Sequence, residues 1–123
     1  MRKSFLKVYL VLSWLAFLSI LIQVFLAGVA IFQDYSYWEI HKSFALFKYI
    51  YIAMFIVGLV GKLPKNLIWL SIAIFAVANV QYYTAHGFLA SLHVVIPFLI
   101  FWINLVLIRK AYEALKVQHS NGL

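Results

Sequence analysis

Cysteine is absent from this chain and carboxylates are scarce: the 123 residues include three Asp or Glu against ten Lys or Arg. Without cysteine, the chain can form neither a dithiol–disulfide couple nor a thiolate-held iron–sulfur cluster. Its acids, Asp34, Glu39 and Glu113, all lie outside the long apolar runs. This excludes a proton-coupled exporter with a membrane-embedded carboxylate and a di-iron bundle with paired Glu-x-x-His motifs. Imidazoles, aromatic rings and a few amides remain for chemistry.

Charged residues of either sign are rare: the chain is 67% hydrophobic and only 11% charged. A soluble domain has about a quarter of its residues charged. Four apolar runs, at 8–32, 43–60, 67–85 and 88–108, each contain at most one charged residue. Since a bilayer core requires about 20 apolar residues per helix, we predict membrane spans near residues 6–32, 39–60, 66–85 and 88–112, with a tail at 113–123.

The connections between these runs are short, which makes consecutive helices antiparallel neighbours. The predicted fold is therefore an all-α integral membrane protein of one domain, residues 1–123, forming an up-down-up-down four-helix bundle. Eight basic residues fall on one side of it: Arg2, Lys3, Lys7, Lys62, Lys65, Arg109, Lys110 and Lys116. The positive-inside rule then places both termini in the cytoplasm. Contact with anionic lipid headgroups accounts for the net charge of +7, so no nucleic-acid partner is expected.

Two histidines occupy matching positions near the starts of the second and fourth spans. The strings "WEIHKSFALF" and "SLHVVIPFLIF" align on His41 and His93, and a glutamine, Gln23 or Gln81, lies in the span before each. The chain is thus predicted to consist of two similar helical hairpins related by an axis along the membrane normal. Such an axis brings His41 and His93 to the same depth on opposite sides of the bundle.

Two facing imidazoles inside a bundle suit a haem, whose iron takes one axial nitrogen on each face and, six-coordinate, transfers electrons. We predict one haem b per chain, with ring nitrogens of His41 and His93 about 4–5 Å apart. We therefore expect an electron carrier or binding protein rather than an enzyme. Its expected partner is a redox protein or a quinone. Residues at a suitable depth to contact the cofactor are Gly28, Phe44, Ala45, Lys48, Ala90 and Pro97.

The strings "WEIHKSFALF" and "VQYYTAHGFLASLHVVIPFLIFW" resemble one four-helix half of haem A synthase. They are more similar to small bacterial four-helix membrane proteins of an uncharacterised domain family, with "Q-x-F-L-A-G", "W-x-x-H" and "L-H" motifs. The resemblance implies a bacterial cytoplasmic-membrane protein with His41 and His93 as paired axial ligands. The synthase has two such halves and a ligand-side carboxylate that Glu39-Ile40-His41 does not reproduce, so haem A synthesis is not implied.

Two other interpretations stay open from the residues. An outer-face transition-metal site could use imidazole and carboxylate ligands, drawn from Asp34, Glu39, His41, His86 and His93. Alternatively, the bundle is an accessory subunit or holin-like protein without a cofactor, and a homo-oligomer is compatible with either. His86 is the less favoured third iron ligand, and His119, in the tail, receives no role.

Overall fold

The computed structural model describes residues 2–120, and over that range its regular secondary structure is all helical, without a strand. The tail residues 121–123 and the side chain of His119 lie outside the described part. The α-helices are α1 (Arg2–Phe32), α2 (Tyr37–Phe44), α3 (Ile50–Val60), α4 (Lys65–Tyr83) and α5 (Ala90–Ser120). Two 3-10 stretches, Ala45–Tyr49 and Gly87–Leu89, join α2 to α3 and lead into α5.

Four helical segments are long and apolar enough to cross a membrane. We number them 1 to 4 in chain order: Arg2–Phe32, Tyr37–Val60, Lys65–Tyr83 and Gly87–Gln118, with mean hydropathies of 2.6, 2.0, 1.3 and 2.3. The prediction of an all-α protein with four candidate membrane helices is therefore confirmed. Segment 2 is one continuous run containing α2, the 3-10 stretch and α3, and segment 4 extends helically well beyond residue 112.

The four segments pack in a ring, each against the segments before and after it in sequence. Helix α1 packs on α2 and α3, α3 on α4, α4 on α5, and α5 returns to α1. Within residues 2–120, no Cα atom of α5 lies within 8 Å of one in α2 or α3, and the same holds for α1 and α4. Segments on the diagonals of the ring therefore meet where a side chain of one reaches the other.

Two buried tyrosines bridge these diagonals in one half of the bundle. Tyr9 on α1 donates its hydroxyl to the Leu67 carbonyl (2.8 Å) on α4 and pairs with Ser71 Oγ at 2.6 Å. Tyr51 on α3 donates to Asn104 Oδ1 (2.9 Å) on α5. Tyr9, Tyr51, Ser71 and Asn104 are each 0% exposed. Polar side chains thus cross-link all four segments where the core is tightest.

The turn between α3 and α4 is shaped by a close approach of α1. A Cβ atom on Gly61 would lie 2.5 Å from Phe5 Cβ and 2.9 Å from the Val57 carbonyl oxygen. The left-handed backbone conformation of the turn is adopted by the next residue, Lys62, at φ 49°. Glycine is therefore needed at position 61 for space, not for its φ.

Replacing Gly61 by Ala should destabilise the fold, because the added methyl group overlaps the Phe5 side chain. Overpacking of this kind costs about 1–3 kcal/mol. Thermal unfolding in detergent measures the effect. Gly28→Ala is the matched control, since a Cβ there meets nothing within 4 Å, and alanine favours a helix interior over glycine. Equal stability of the two variants would contradict the close packing of α1 on this turn.

Candidate functional site

His41 and His93 face each other across one diagonal of the ring. His41 projects from α2 in segment 2 and His93 from the first turn of α5 in segment 4. Their ring centroids are 6.4 Å apart, and the ring planes meet at 62°. Both residues are half-buried. No Cα atom of α2 lies within 8 Å of one in α5, so side chains such as these imidazoles, and not the backbones, meet across this diagonal.

Each histidine is held by the glutamine of its own hairpin through a reciprocal pair of hydrogen bonds. Gln23 Nε2 donates to the His41 carbonyl (2.9 Å), and His41 Nδ1 lies 3.1 Å from the Gln23 carbonyl. Gln81 Nε2 donates to the His93 carbonyl (2.7 Å), and His93 Nδ1 lies 2.7 Å from the Gln81 carbonyl. The same four atoms pair in both hairpins, so the weak repeat in sequence corresponds to a repeated local geometry.

These contacts determine which ring nitrogen carries the proton. A carbonyl oxygen only accepts hydrogen bonds, so Nδ1 is the donor in both rings, and Nε2 of each neutral imidazole keeps its lone pair. The one polar neighbour of the His41 Nε2 atom in the described structure fits this assignment, since it is the amide donor Gln23 Nε2 at 3.3 Å. An imidazole anchored through Nδ1–H to a carbonyl is the usual arrangement of a histidine that binds metal through Nε2.

The helix changes its hydrogen bonding four residues after each histidine. Pro97 has no amide hydrogen for the His93 carbonyl, and that carbonyl accepts from Gln81 instead. At the matching position, Ala45 begins the 3-10 stretch, and the His41 carbonyl still accepts a backbone N–H at this end of α2. In both hairpins the histidine carbonyl accepts the glutamine amide, and in segment 2 it does so in addition to a backbone N–H.

Other side chains complete the two halves of the site differently. The Trp38 ring meets the His41 ring edge-on, with centroids 5.3 Å apart. Thr84, which is buried, donates to the Gln81 carbonyl (2.9 Å) and lies 3.5 Å from His93 Nδ1. The carboxamide oxygens of Gln23 and Gln81 are buried without a hydrogen-bond partner in the described part of the chain. Sequence reasoning missed Thr84, although its position three residues after Gln81 on the same helix is a usable signal.

The remaining predicted cofactor contacts have intermediate exposure: Gly28, Phe44, Ala45, Lys48, Ala90 and Pro97. Gly28 borders open space, since no atom lies within 4 Å of a Cβ built there. Phe44 packs obliquely on Phe47, with ring centroids 5.9 Å apart. Lys48 Nζ donates to Asn79 Oδ1 at 2.9 Å. None of these residues supplies a further ligand for a metal.

The five residues of the alternative metal site are not gathered in one place. No group of three or more His, Cys, Asp or Glu side chains among residues 2–120 has the geometry to hold a metal ion. Asp34 accepts from the Ser36 amide (2.9 Å), a bond that holds the pKa of its carboxyl below the usual value. Glu39 is paired with Lys42, and His86 is exposed just before the second 3-10 stretch. Only His41 and His93 are brought together.

Fold and site define a class of small, all-helical protein with four candidate membrane helices and two histidines paired across the bundle. The chain belongs to DUF6220, a family of unknown function, whose pattern matches residues 23–90, more than half of its length. This agrees with the predicted uncharacterised domain family. The matched range begins at Gln23, includes His41 and Gln81, and ends three residues before His93. No curated protein and no solved structure matches the chain, so the likeness to haem A synthase stays a prediction from the motifs.

Proposed function

We propose that this protein binds one haem b between its four segments, with His41 and His93 as the two axial ligands. The observation that carries this proposal is the pair of Nδ1-anchored imidazoles facing each other at a centroid separation of 6.4 Å. In a haem with two imidazole ligands, the distance from the iron to the centre of each imidazole ring is one metal–nitrogen bond plus one ring radius. These are about 2.0–2.1 Å and about 1.2 Å. A linear arrangement then requires about 6.4–6.6 Å between ring centres, and the observed 6.4 Å lies at the lower end of this range.

A porphyrin held between the rings would lie among the four segments. With axial ligands on segments 2 and 4, the macrocycle extends along the other diagonal, toward α1 and α4. The small and apolar residues Gly28, Phe44, Ala45, Ala90 and Pro97 are the ones that would border it. Bound haem supplies one-electron chemistry at the iron. The two imidazoles occupy both axial positions, so the chain's part is to hold the iron six-coordinate and keep other axial ligands away.

Coordination of the iron by two histidines favours electron transfer or haem handling over catalysis. No acid or thiol of the chain lies at the site to support proton or group transfer: the acids Asp34, Glu39 and Glu113 each have another partner, and the chain has no cysteine. A cytochrome b-like carrier embedded in the bilayer would exchange electrons with a neighbouring redox protein or with a quinone. Neither partner requires a catalytic residue on this chain.

We further propose an up-down-up-down bundle of two similar hairpins in a bacterial cytoplasmic membrane, with both termini inside. Eight basic residues lie at one end and Lys42 at the other, with Lys48 inside segment 2, and this division supports the orientation. The ring of sequential neighbours supports the topology. Reporter fusions test it: a reporter at the C-terminus should be active inside the cell and one at Tyr35 outside. An external C-terminus would move the histidine pair to the inner face.

The absorption spectrum of the purified protein tests the haem proposal. Protein expressed with added haem, in detergent, should show a Soret band and sharp reduced bands after dithionite, with about one haem per chain. A colourless protein that carries a metal would support the transition-metal alternative. A colourless protein without metal would leave an accessory subunit or holin-like bundle, and in both cases the cytochrome proposal would be overturned.

A further inference from the structure

Lys48 is a cation in the middle of segment 2, within the stretch 43–60 that has no other charged residue. Segment 2 runs from Tyr37 to Val60, and Lys48 lies 11 residues from its beginning and 12 from its end. The side chain is half-buried. Ionisable residues at such positions are rare in membrane helices, and they usually have a functional partner.

The described chain offers this ammonium group only neutral partners. Lys48 Nζ donates to Asn79 Oδ1 (2.9 Å) and lies 4.8 Å from the ring centroid of Tyr82 and 5.8 Å from that of Tyr49. The two ion pairs found in residues 2–120 are Lys42–Glu39 and Arg109–Glu113, and Asp34 is engaged with Ser36. All three Asp and Glu side chains are therefore used elsewhere, and no negative charge of the described residues balances Lys48.

Asn79 fixes the place of the ammonium group relative to the histidines. Its Nδ2 donates to the Phe75 carbonyl (2.8 Å), which leaves Oδ1 directed to Lys48. Asn79 lies two residues before Gln81 on α4, about 3 Å of helix rise, and the Gln81 carbonyl holds His93. The Lys48 ammonium group therefore lies within about one helical turn of the depth of His41 and His93 in the bundle. It lies beside α4, one of the two helices toward which the porphyrin would extend.

We propose that Lys48, oriented by Asn79, receives a carboxylate of the bound porphyrin and makes the site selective for a tetrapyrrole with free carboxylates. This inference rests on the proposed haem site. The occupant we assign is a porphyrin carboxylate, because a haem held between His41 and His93 would lie within about one helical turn of this amine. An ammonium–carboxylate contact is among the stronger hydrogen bonds available to a ligand.

Titration of the full chain in nanodiscs with haemin and with haemin dimethyl ester, followed at the Soret band, tests the proposal. The parent should bind haemin roughly tenfold or more tightly than the ester, the size expected of one charge-assisted hydrogen bond. Lys48→Met should weaken haemin binding by about the same factor and leave ester binding within about twofold. Lys48→Arg should retain the preference for haemin. Lys42→Met, which removes an exposed lysine of the same segment, should bind both ligands as the parent does.

Each outcome decides between the two proposals. Equal affinity of the parent for haemin and ester would overturn the carboxylate subsite, and this comparison stands even if Lys48→Met fails to fold. An equal loss for both ligands in Lys48→Met would also overturn it, since it would indicate a structural role for Lys48. A parent that binds neither ligand would overturn the haem site itself.

Discussion

Replacing either His41 or His93 by Ala should abolish the bis-imidazole haem spectrum. Each ring supplies one of two axial bonds, and the opposite ring is anchored through Nδ1 to its own glutamine carbonyl. A single remaining imidazole leaves iron five-coordinate or open to water, so the reduced low-spin bands disappear. Reduced-minus-oxidised absorption spectra of the purified variants measure the change, which should be complete in both cases.

His86→Ala is the matched control for these substitutions. His86 is exposed, and it precedes the second 3-10 stretch outside the ring of segments. Its removal should leave the band positions and the haem content unchanged. Bleaching of His86→Ala together with an intact spectrum in His93→Ala would show that the assigned ligand pair is wrong.

Replacing Asn104 by Ala should produce the largest loss of stability among single polar substitutions in the bundle. Asn104 accepts from Tyr51 and donates to the Ser13 carbonyl (3.0 Å), and it is 0% exposed. The substitution leaves a buried hydroxyl without its acceptor, which costs about 1–3 kcal/mol, and it opens a cavity beside Tyr51. Interhelical hydrogen bonds in membrane proteins contribute about 0.6 kcal/mol on average, so we expect a total loss of about 2–3 kcal/mol.

Unfolding in detergent, by heat or by denaturant, measures this loss. Tyr51→Phe removes only the hydroxyl and should destabilise by about 1 kcal/mol, and the double variant should lose less than the sum because both substitutions break the same bond. Tyr49→Phe, at an exposed position two residues earlier, should change stability by less than about 0.5 kcal/mol. Additive losses for Asn104→Ala and Tyr51→Phe would contradict a direct bond across the diagonal.

The helical class of the protein follows from its apolar runs, because a chain in lipid must satisfy its backbone hydrogen bonds within each segment. The rotation of each helix about its axis does not follow. Segments that are apolar all round carry no polar stripe to indicate which face turns inward. For this reason the diagonal contacts of Tyr9 and Tyr51 were not predicted, although both residues are visible in the sequence as polar side chains among apolar ones.

The candidate site was partly predictable for a related reason. Aligning the two strings on His41 and His93 pairs the hairpins, and a buried amide such as Gln23 or Gln81 is expected to bond between helices. The reciprocal bond from each histidine requires knowledge of both backbones. Pro97 is a recognisable interruption of α5, whereas the 3-10 stretch beginning at Ala45 has no proline or glycine to indicate it.

Electron paramagnetic resonance of the ferric, haem-loaded protein tests the central claim most directly, because it reports the axial ligands of the iron. Two imidazole ligands from His41 and His93 predict a low-spin ferric signal from essentially all of the bound haem, at one haem per chain. A high-spin signal from most of the haem would show that at least one axial position is not held by a histidine. That result would contradict the paired-ligand account.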